Sequence, residues 1–190
     1  MIAIAFDNTE TISRQLLKKS TFDSFLLGSV TLNGIFQLVL EPGQTEKVPV
    51  TYKDVKPLIC HYLQQQRILC ETNAAESDGA QTAGSRSIQP ADSQIEEKKE
   101  DLSLSLLTKG QIVLHASSSY LGSVLGHKDF TGDPEQIQNL VLTFRITPEG
   151  ITALTGISYR SFTTDKSMDR IWDSSILKAF DHSNIPYTLL

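Results

Sequence analysis

Residues 71–101 constrain the fold most strongly, because they separate two parts of the chain that each lack the apolar residues to close a core alone. This segment is rich in Ala, Ser, Thr, Gln, Glu and Asp, and its only large aliphatic residues are Ile88 and Ile95. Their burial does not offset a backbone ordering cost of about 1–2 kcal/mol per residue. We therefore predict a disordered acidic insertion at 71–101, within a single domain formed by residues 1–70 and 102–190. Closing such a loop costs only about 0.6 kcal/mol for each doubling of its length.

The insertion also carries most of the chain's net charge of −5. Residues 71–100 hold seven acidic and three basic residues, so the other 160 residues hold 15 acidic and 14 basic ones. Proteins that bind nucleic acid or a membrane surface generally show a basic excess. The charge therefore predicts that nucleic acid is an unlikely partner and that no membrane is bound.

The compartment is predicted from the cysteines and from the first residues. Cys60 and Cys70 are the only cysteines in 190 residues, which favours a reduced, cytoplasmic protein over a disulfide framework. Met1 to Phe6 is apolar but lacks the basic residues of a secretory signal. The uncharged stretch at 24–40 is interrupted by Gly, Asn and Gln residues, so we interpret it as a hairpin and not as a membrane span.

Hydrophobic periodicity predicts the order strand, helix, hairpin, helix, insertion, strand, hairpin, helix. Residues 117–126 are compatible with either a short helix or a loop. The pattern is typical of an α+β fold, with a largely antiparallel sheet covered on one face by about three helices. The predicted elements are a strand at 1–6, a helix at 9–19, hairpin strands at 25–32 and 35–40, a helix with apolar positions at 55–63, a strand at 111–115, hairpin strands at 139–146 and 151–162, and a helix that begins after 163–165.

Turn and cap residues refine these predictions. Asp7, Asn8 and Thr9 are N-cap candidates for the first helix. Asn33-Gly34 is typical of a type I′ hairpin turn, which needs positive φ at both central residues. Pro57 is tolerated if it falls in the first turn of its helix. The final helix is the clearest amphipathic element, because its apolar residues repeat at i, i+3 and i+4. They are Met168, Ile171, Trp172, Ile176, Ala179 and Phe180.

Six short motifs in the two parts of the chain are similar to those of one protein family. They are Thr21–Leu27, Lys56–Cys60, Thr155–Ser158, Phe162–Lys166, Trp172-Asp173 and Ile185–Tyr187. With these motifs the chain resembles DUF5721, a family of uncharacterised bacterial proteins. The resemblance covers most of the chain outside 71–101 and implies a bacterial cytosolic protein. It carries over no catalytic residue, and the acidic insertion departs from the compact pattern of the family.

The junction between the last predicted strand and the last helix is the densest group of polar residues. Free N–H groups and the partial positive charge of a helix N-terminus favour an anion such as phosphate or carboxylate. Arg160, Thr164, Lys166 and Arg170 are therefore candidate ligand-binding residues. The alternative is structural: Thr164 or Asp165 caps the helix and the basic residues are solvated. The preceding turn lacks the glycines of a P-loop.

Other reactive residue types form no recognisable site. The four histidines are scattered, and Cys60-His61 with Cys70 does not have the spacing of a zinc site. His115 has Asp129 and Asp133 as candidate partners in space. Residues 122–126 do not match the G-x-S-x-G nucleophile motif. We therefore predict no catalytic residue, no metal and no cofactor.

Three functions remain as hypotheses. The first is a non-enzymatic module that binds a protein partner or a second copy of itself through an uncovered sheet face or edge. The alternative is an anion- or nucleotide-binding enzyme that uses the junction at 160–170. A second alternative is a single-stranded nucleic-acid binder with Arg145 and Arg160, on neighbouring predicted strands, in its groove. Trp172 is expected in the core and not on a base-stacking platform.

Overall fold

Seven strands and four α-helices form the part of the chain that the computed structural model describes, which is residues 1–42, 49–77, 104–126, 128 and 130–190, with backbone only at 73–77 and 105. The strands are Ala3–Phe6 (β1), Leu26–Asn33 (β2), Gln37–Leu40 (β3), Lys109–His115 (β4), Ile137–Thr147 (β5), Gly150–Tyr159 (β6) and Tyr187–Leu189 (β7). The helices are Thr9–Leu17 (α1), Tyr52–Ser77 (α2), Ser118–Leu125 (α3) and Ser167–His182 (α4). Leu104–Leu106 and Pro134–Gln136 form short 3₁₀ turns.

All seven strands pair in one antiparallel sheet with the order β3-β2-β4-β5-β6-β1-β7. The α+β prediction is therefore confirmed. Strands from before and after residues 71–101 are direct neighbours, because β2 pairs with β4 over Leu26 to Asn33. The long β5 lies in the centre of the sheet, fourth from either edge.

The core lies between one face of the sheet and the helices. Phe144 projects from β5 into a cluster of rings, where its centroid lies 5.2 Å from that of Phe22 and 6.2 Å from that of Phe6. Phe180 of α4 closes the cluster, 5.4 Å from Phe6. Trp172, also on α4, is fully buried, as expected, and donates from Nε1 to the Val141 carbonyl at 3.1 Å. α4 is therefore anchored to the centre of the sheet.

Local sequence signals at the two chain ends are confirmed. Asn8 caps α1, since its Oδ1 accepts from the Thr11 N–H at 3.0 Å. The predicted apolar stripe of α4 is buried except at Ala179, which is half-buried. The helix ends at His182, and Asn184 has the positive φ of 51° that is typical after a helix.

The second helix corrects two predictions. α2 begins at Tyr52, so Pro57 lies in its second turn and not in the first. Proline has no backbone N–H, so one helical hydrogen bond is missing at Pro57. The loss is tolerated because Pro57 and Leu58 lie on an exposed face of the helix, where water can reach the backbone. The helix also continues to Ser77, into the predicted insertion, because charged and small residues after Cys70 are good helix formers. The remainder of the insertion lies outside the described residues.

The first hairpin was predicted with the wrong turn. Asn33 pairs with Gln37, so three residues connect the strands, and neither Asn33 nor Gly34 has positive φ. The buried side chain of Gln66 replaces the expected turn chemistry. Its Oε1 accepts from the Ile35 N–H at 2.6 Å and its Nε2 donates to the Phe36 carbonyl at 3.3 Å. A tertiary contact therefore decides the conformation of this loop.

Two further elements differ from the predictions. Residues 118–125 form a helix, capped by Ser117, so the described residues contain four α-helices instead of about three. β7 was missed, because three residues after Pro186 carry no period of their own. It forms by pairing with β1, where Thr188 lies opposite Ala5.

Gly34→Ala is expected to destabilise the protein by about 1–3 kcal/mol, the cost of leaving buried polar groups unpaired. A Cβ at this position would lie 2.8 Å from Cδ of Gln66 and would displace its amide from Ile35 and Phe36. Gly122→Ala in α3 is the matched control, because a Cβ there meets nothing within 4 Å. It is expected to raise stability by up to about 1 kcal/mol through helix propensity. Urea unfolding measures both, and equal effects would contradict the role given to Gln66.

Candidate functional site

The junction before α4 is organised by the carboxylate of Asp165. It accepts from the Ser167 N–H at 2.8 Å and from the Ser167 hydroxyl at 3.0 Å. Lys166, at the N-cap position, makes no side-chain hydrogen bond to the helix. The Asp165 side chain therefore bonds to the first residue of α4 from the position before the N-cap.

The candidate ligand-binding residues are placed in three different surroundings. Lys166 and Arg170 line one groove of 420 Å³ together with Met1, Asp169 and Asp173. Arg160 and Thr164 are exposed and do not line this groove. The Arg160 N–H donates to the Gln136 carbonyl at 2.7 Å, which places it at the end of β6. The structure thus brings together Lys166 and Arg170 only.

Carboxylates accompany these two cations. Asp169 Oδ2 lies 3.8 Å from Lys166 Nζ and accepts from the Tyr159 hydroxyl at 3.0 Å. Burial, and then the hydrogen bond to Asp169, raise the pKa of Tyr159 well above its usual value. Asp173 accepts from the buried Thr155 hydroxyl at 2.5 Å and from the Met1 ammonium at 2.9 Å. The N-terminal half of α4 is therefore a network of paired charges.

A second groove, of 470 Å³, runs along the next face of α4. Arg170 and Lys178 supply its cations, and four hydroxyl-bearing residues line it with them: Thr131, Ser167, Ser174 and Ser175. Arg170, Ser174 and Lys178 are spaced at i, i+4 and i+8, so they share one helix face. Sequence reasoning missed Lys178, although this spacing was a usable signal.

Asp165 predicts an acid-dependent contribution to stability. Hydrogen bonds from the Ser167 backbone and hydroxyl, and then the charge of Arg170, lower the pKa of Asp165. A carboxyl whose pKa is lowered on folding stabilises the protein above its unfolded pKa of about 3.9. That stability is lost as the pH falls below this value, through the folded pKa. Asp165→Ala is therefore expected to be less stable than the wild type at pH 7, with the difference shrinking as the pH falls from 5 towards 2, measured by thermal unfolding at each pH. A difference that stayed constant over this range would contradict the assignment.

Residues predicted to gather around His115 do not form a site in the part of the chain described. His127 and Asp129 lie outside that part. The Asp133 carboxylate caps a 3₁₀ turn by accepting from the Glu135 N–H at 2.9 Å. Burial alone lowers the pKa of His115. Among the described residues, no group of three His, Cys, Asp or Glu side chains is arranged to hold a metal ion.

The opposite face of the sheet is the largest surface that the helices leave free. Along β5, Leu142 and Phe144 are buried, whereas Val141, Thr143 and Arg145 are half-buried or exposed. The same alternation runs through the neighbouring strands, and none of the outward side chains is buried. We call this surface the open face; it consists of Ala3, Ala5, Ser29, Thr31, Val39, Lys109, Gln111, Val113, His115, Val141, Thr143, Arg145, Thr152, Leu154 and Thr188.

Helix contacts confirm which face is covered. α4 bonds to Thr155 and Tyr159 and packs Phe180 on Phe6. α2 donates from the Tyr62 hydroxyl to the carbonyl of Leu32, whose side chain is buried. These contacts lie on the buried face. The strand spacing of about 4.8 Å makes the open face about 30 Å wide across seven strands, and an average of about two outward residues per strand makes it roughly 13 Å long.

The open face has a distinctive chemistry. Two thirds of its 15 side chains are small, β-branched or hydroxyl-bearing, and none of the seven described strands contains Asp or Glu. The other five are Lys109, Gln111, His115, Arg145 and Leu154. The nearest carboxylates sit at the margin: Asp7 accepts from the Thr188 hydroxyl at 2.9 Å, and the Thr147 hydroxyl lowers the pKa of Glu149. Lys109 and Arg145 are therefore the charged residues within the face.

At Gly28 the backbone of β2 lies close to the side chains of β4. A Cβ on Gly28 would lie 2.9 Å from both Nε2 of His115 and Cγ1 of Val113. Glycine therefore lets the side chains of β4 lie flat across β2. Arg145 and Arg160, the two residues of the hypothetical nucleic-acid groove, are not cross-strand neighbours. Arg145 lies opposite Thr152, and Arg160 follows the far end of β6.

These features define a two-layer α+β protein with a helical layer on one side of its sheet. Residues 107–188 match the family model described as "Family of unknown function (DUF5721)", so this part of the chain is similar to that family. The match includes four of the motifs that suggested the resemblance, from Thr155 to Tyr187, whereas Thr21–Leu27 and Lys56–Cys60 lie outside it. No curated protein and no solved structure matches the chain. No helix of the described residues has the length and apolar composition needed to cross a membrane.

Proposed function

We propose that this chain is a non-enzymatic binding module whose open face receives a partner protein. The observation that carries this proposal is a seven-stranded sheet with helices on one side and no buried side chain on the other. An open face of roughly 400 Å² supplies about half of the 800 Å² that each partner contributes to a standard interface. The unpaired cysteines, exposed Cys70 and half-buried Cys60, support a cytoplasmic location.

Site-specific photo-cross-linking tests this function. A photoreactive amino acid at Thr143, in the centre of the open face, is expected to form protein adducts in cells that naturally express the chain. The same amino acid at Lys53, exposed on α2, is the control. Adducts formed at Thr143 and not at Lys53 support the proposal. No adduct at Thr143, or equal yields at both positions, would overturn it.

A second candidate function, binding of a phosphorylated small molecule, is favoured by the groove between Arg170 and Lys178. A ligand at 100 times its Kd adds about 2.7 kcal/mol of stability, which raises the Tm of a chain of this size by roughly 5–10 °C. A thermal-shift screen with pyrophosphate and nucleoside triphosphates measures this. Arg170→Ala is expected to abolish the shift, and Arg160→Ala to leave it unchanged. The absence of a shift with every compound would remove this function.

A further inference from the structure

Arg145 lies next to Thr143, the centre of the open face, on the same strand. It lies in the middle strand of the seven, opposite Gln111 on β4 and Thr152 on β6. Its outward neighbours along β5 are Thr143 and Thr147. A cation is therefore surrounded by uncharged side chains that can donate and accept hydrogen bonds. Residues that dominate binding energy cluster near the centre of an interface, and Arg is among the most frequent of them.

Neither cation of the open face has a partner among the described residues. No hydrogen bond or ion pair joins the side chain of Arg145 or Lys109 to that part of the chain. The exposed cations Arg14 and Arg67, in contrast, each pair with a glutamate one helical turn away. The chain as a whole carries a net charge of −5, so the open face has the opposite sign to the rest of the molecule.

We propose that the partner presents an acidic segment to the open face and that a carboxylate of this segment pairs with Arg145. This inference rests on the proposed function and specifies the chemistry of its partner. An arginine fork binds a carboxylate through two parallel hydrogen bonds. Lys109 lies one strand away and two residues beyond Gln111, at the diagonal distance of about 7–8 Å, and favours a second acidic group.

Two other occupants fit the face less well. A second copy related by a twofold axis would place like surfaces opposite each other, which brings the cations Arg145 and Lys109 of both copies into one interface. Such like-charge contacts in an interface cost several kcal/mol. Single-stranded nucleic acid requires aromatic side chains on which bases stack, and the open face contains none.

The inference is tested by changing the charge of Arg145 in the chain that carries the photoreactive amino acid. With the photoreactive group at Thr143, Arg145→Glu is expected to lower the adduct yield at least about tenfold. Arg145→Gln removes the charge without reversing it and is expected to have a smaller effect. Lys53→Glu, on α2, makes the same charge change away from the face and is expected to leave the yield unchanged. Circular dichroism verifies that each variant is folded.

The identity of the cross-linked segment separates the possible results. A segment with an excess of Asp and Glu, lost on Arg145→Glu, supports the inference. Adducts that persist in Arg145→Glu and Lys109→Glu would overturn the acidic partner while the proposed binding function stands. An adduct with a second copy of this chain, or one removed by nuclease, would overturn it as well. Failure of the wild-type chain to form adducts at Thr143 overturns the binding function itself.

Discussion

Trp172→Ala is expected to lower the free energy of unfolding by about 3–5 kcal/mol, the range for truncating a large buried aromatic residue. The indole is fully buried, lies within 6.4 Å of Phe25 and 5.8 Å of Tyr120, and bonds to the Val141 carbonyl. It is the only tryptophan of the chain. Truncation therefore opens a cavity between α4 and the sheet and removes a bond that holds the two layers together. Urea unfolding followed by far-ultraviolet circular dichroism measures the loss.

Trp172→Phe separates the ring from its hydrogen bond. It keeps an aromatic side chain in the cavity, so a smaller loss of about 1–2 kcal/mol is expected, mostly from the unpaired carbonyl. A loss for Trp172→Ala within the range of ordinary surface substitutions, about 0.5 kcal/mol, would mean that α4 does not pack on the centre of the sheet.

Phe144→Ala and Thr143→Ala are expected to differ by at least about 2 kcal/mol, although the two residues are adjacent in β5. Phe144 is fully buried among the rings of Phe6 and Phe22, and its truncation is expected to cost about 3–5 kcal/mol. Thr143 lies on the open face, where its truncation is expected to cost less than about 1 kcal/mol. The comparison is made by chemical unfolding of both variants under one set of conditions.

This pair tests the two-layer arrangement directly. Similar and large losses for both variants would show that the outward face is packed as tightly as the inward one. In that case the open face would not be available to a partner. Similar and small losses would contradict the position given to the aromatic cluster.

Elements fixed by local signals could be predicted from the sequence. The Asn8 cap and the apolar stripe of α4 depend on neighbours within one or two helical turns, and both are confirmed. Elements that depend on distant contacts could not. The turn at Gly34 is held by Gln66, 32 residues away, and β7 exists because Tyr187 pairs with Phe6 at the other end of the chain.

The candidate sites also combine features that local sequence predicts with features that depend on distant contacts. The polar cluster at Asp165, Lys166 and Arg170 was visible in the sequence. The hydrogen bonds that Asp169 and Asp173 accept from Tyr159 and Thr155 were not, because those two residues lie on β6, away from α4 in the chain. The open face was predicted only as an uncovered surface. Its outline follows from the sheet order, which pairs strands up to about 185 residues apart in the chain and has no local sequence signal.

Solvent exposure of methyl groups in the isolated protein tests the central claim most directly. A soluble paramagnetic agent added to a methyl-labelled sample is expected to attenuate the NMR signals of Val113, Thr143 and Thr152 strongly. The signals of Ile112 and Leu142, which are buried on the opposite side of the same strands, are expected to persist. Equal protection of the two groups would contradict the account, because it would mean that the surface assigned to the partner is already covered.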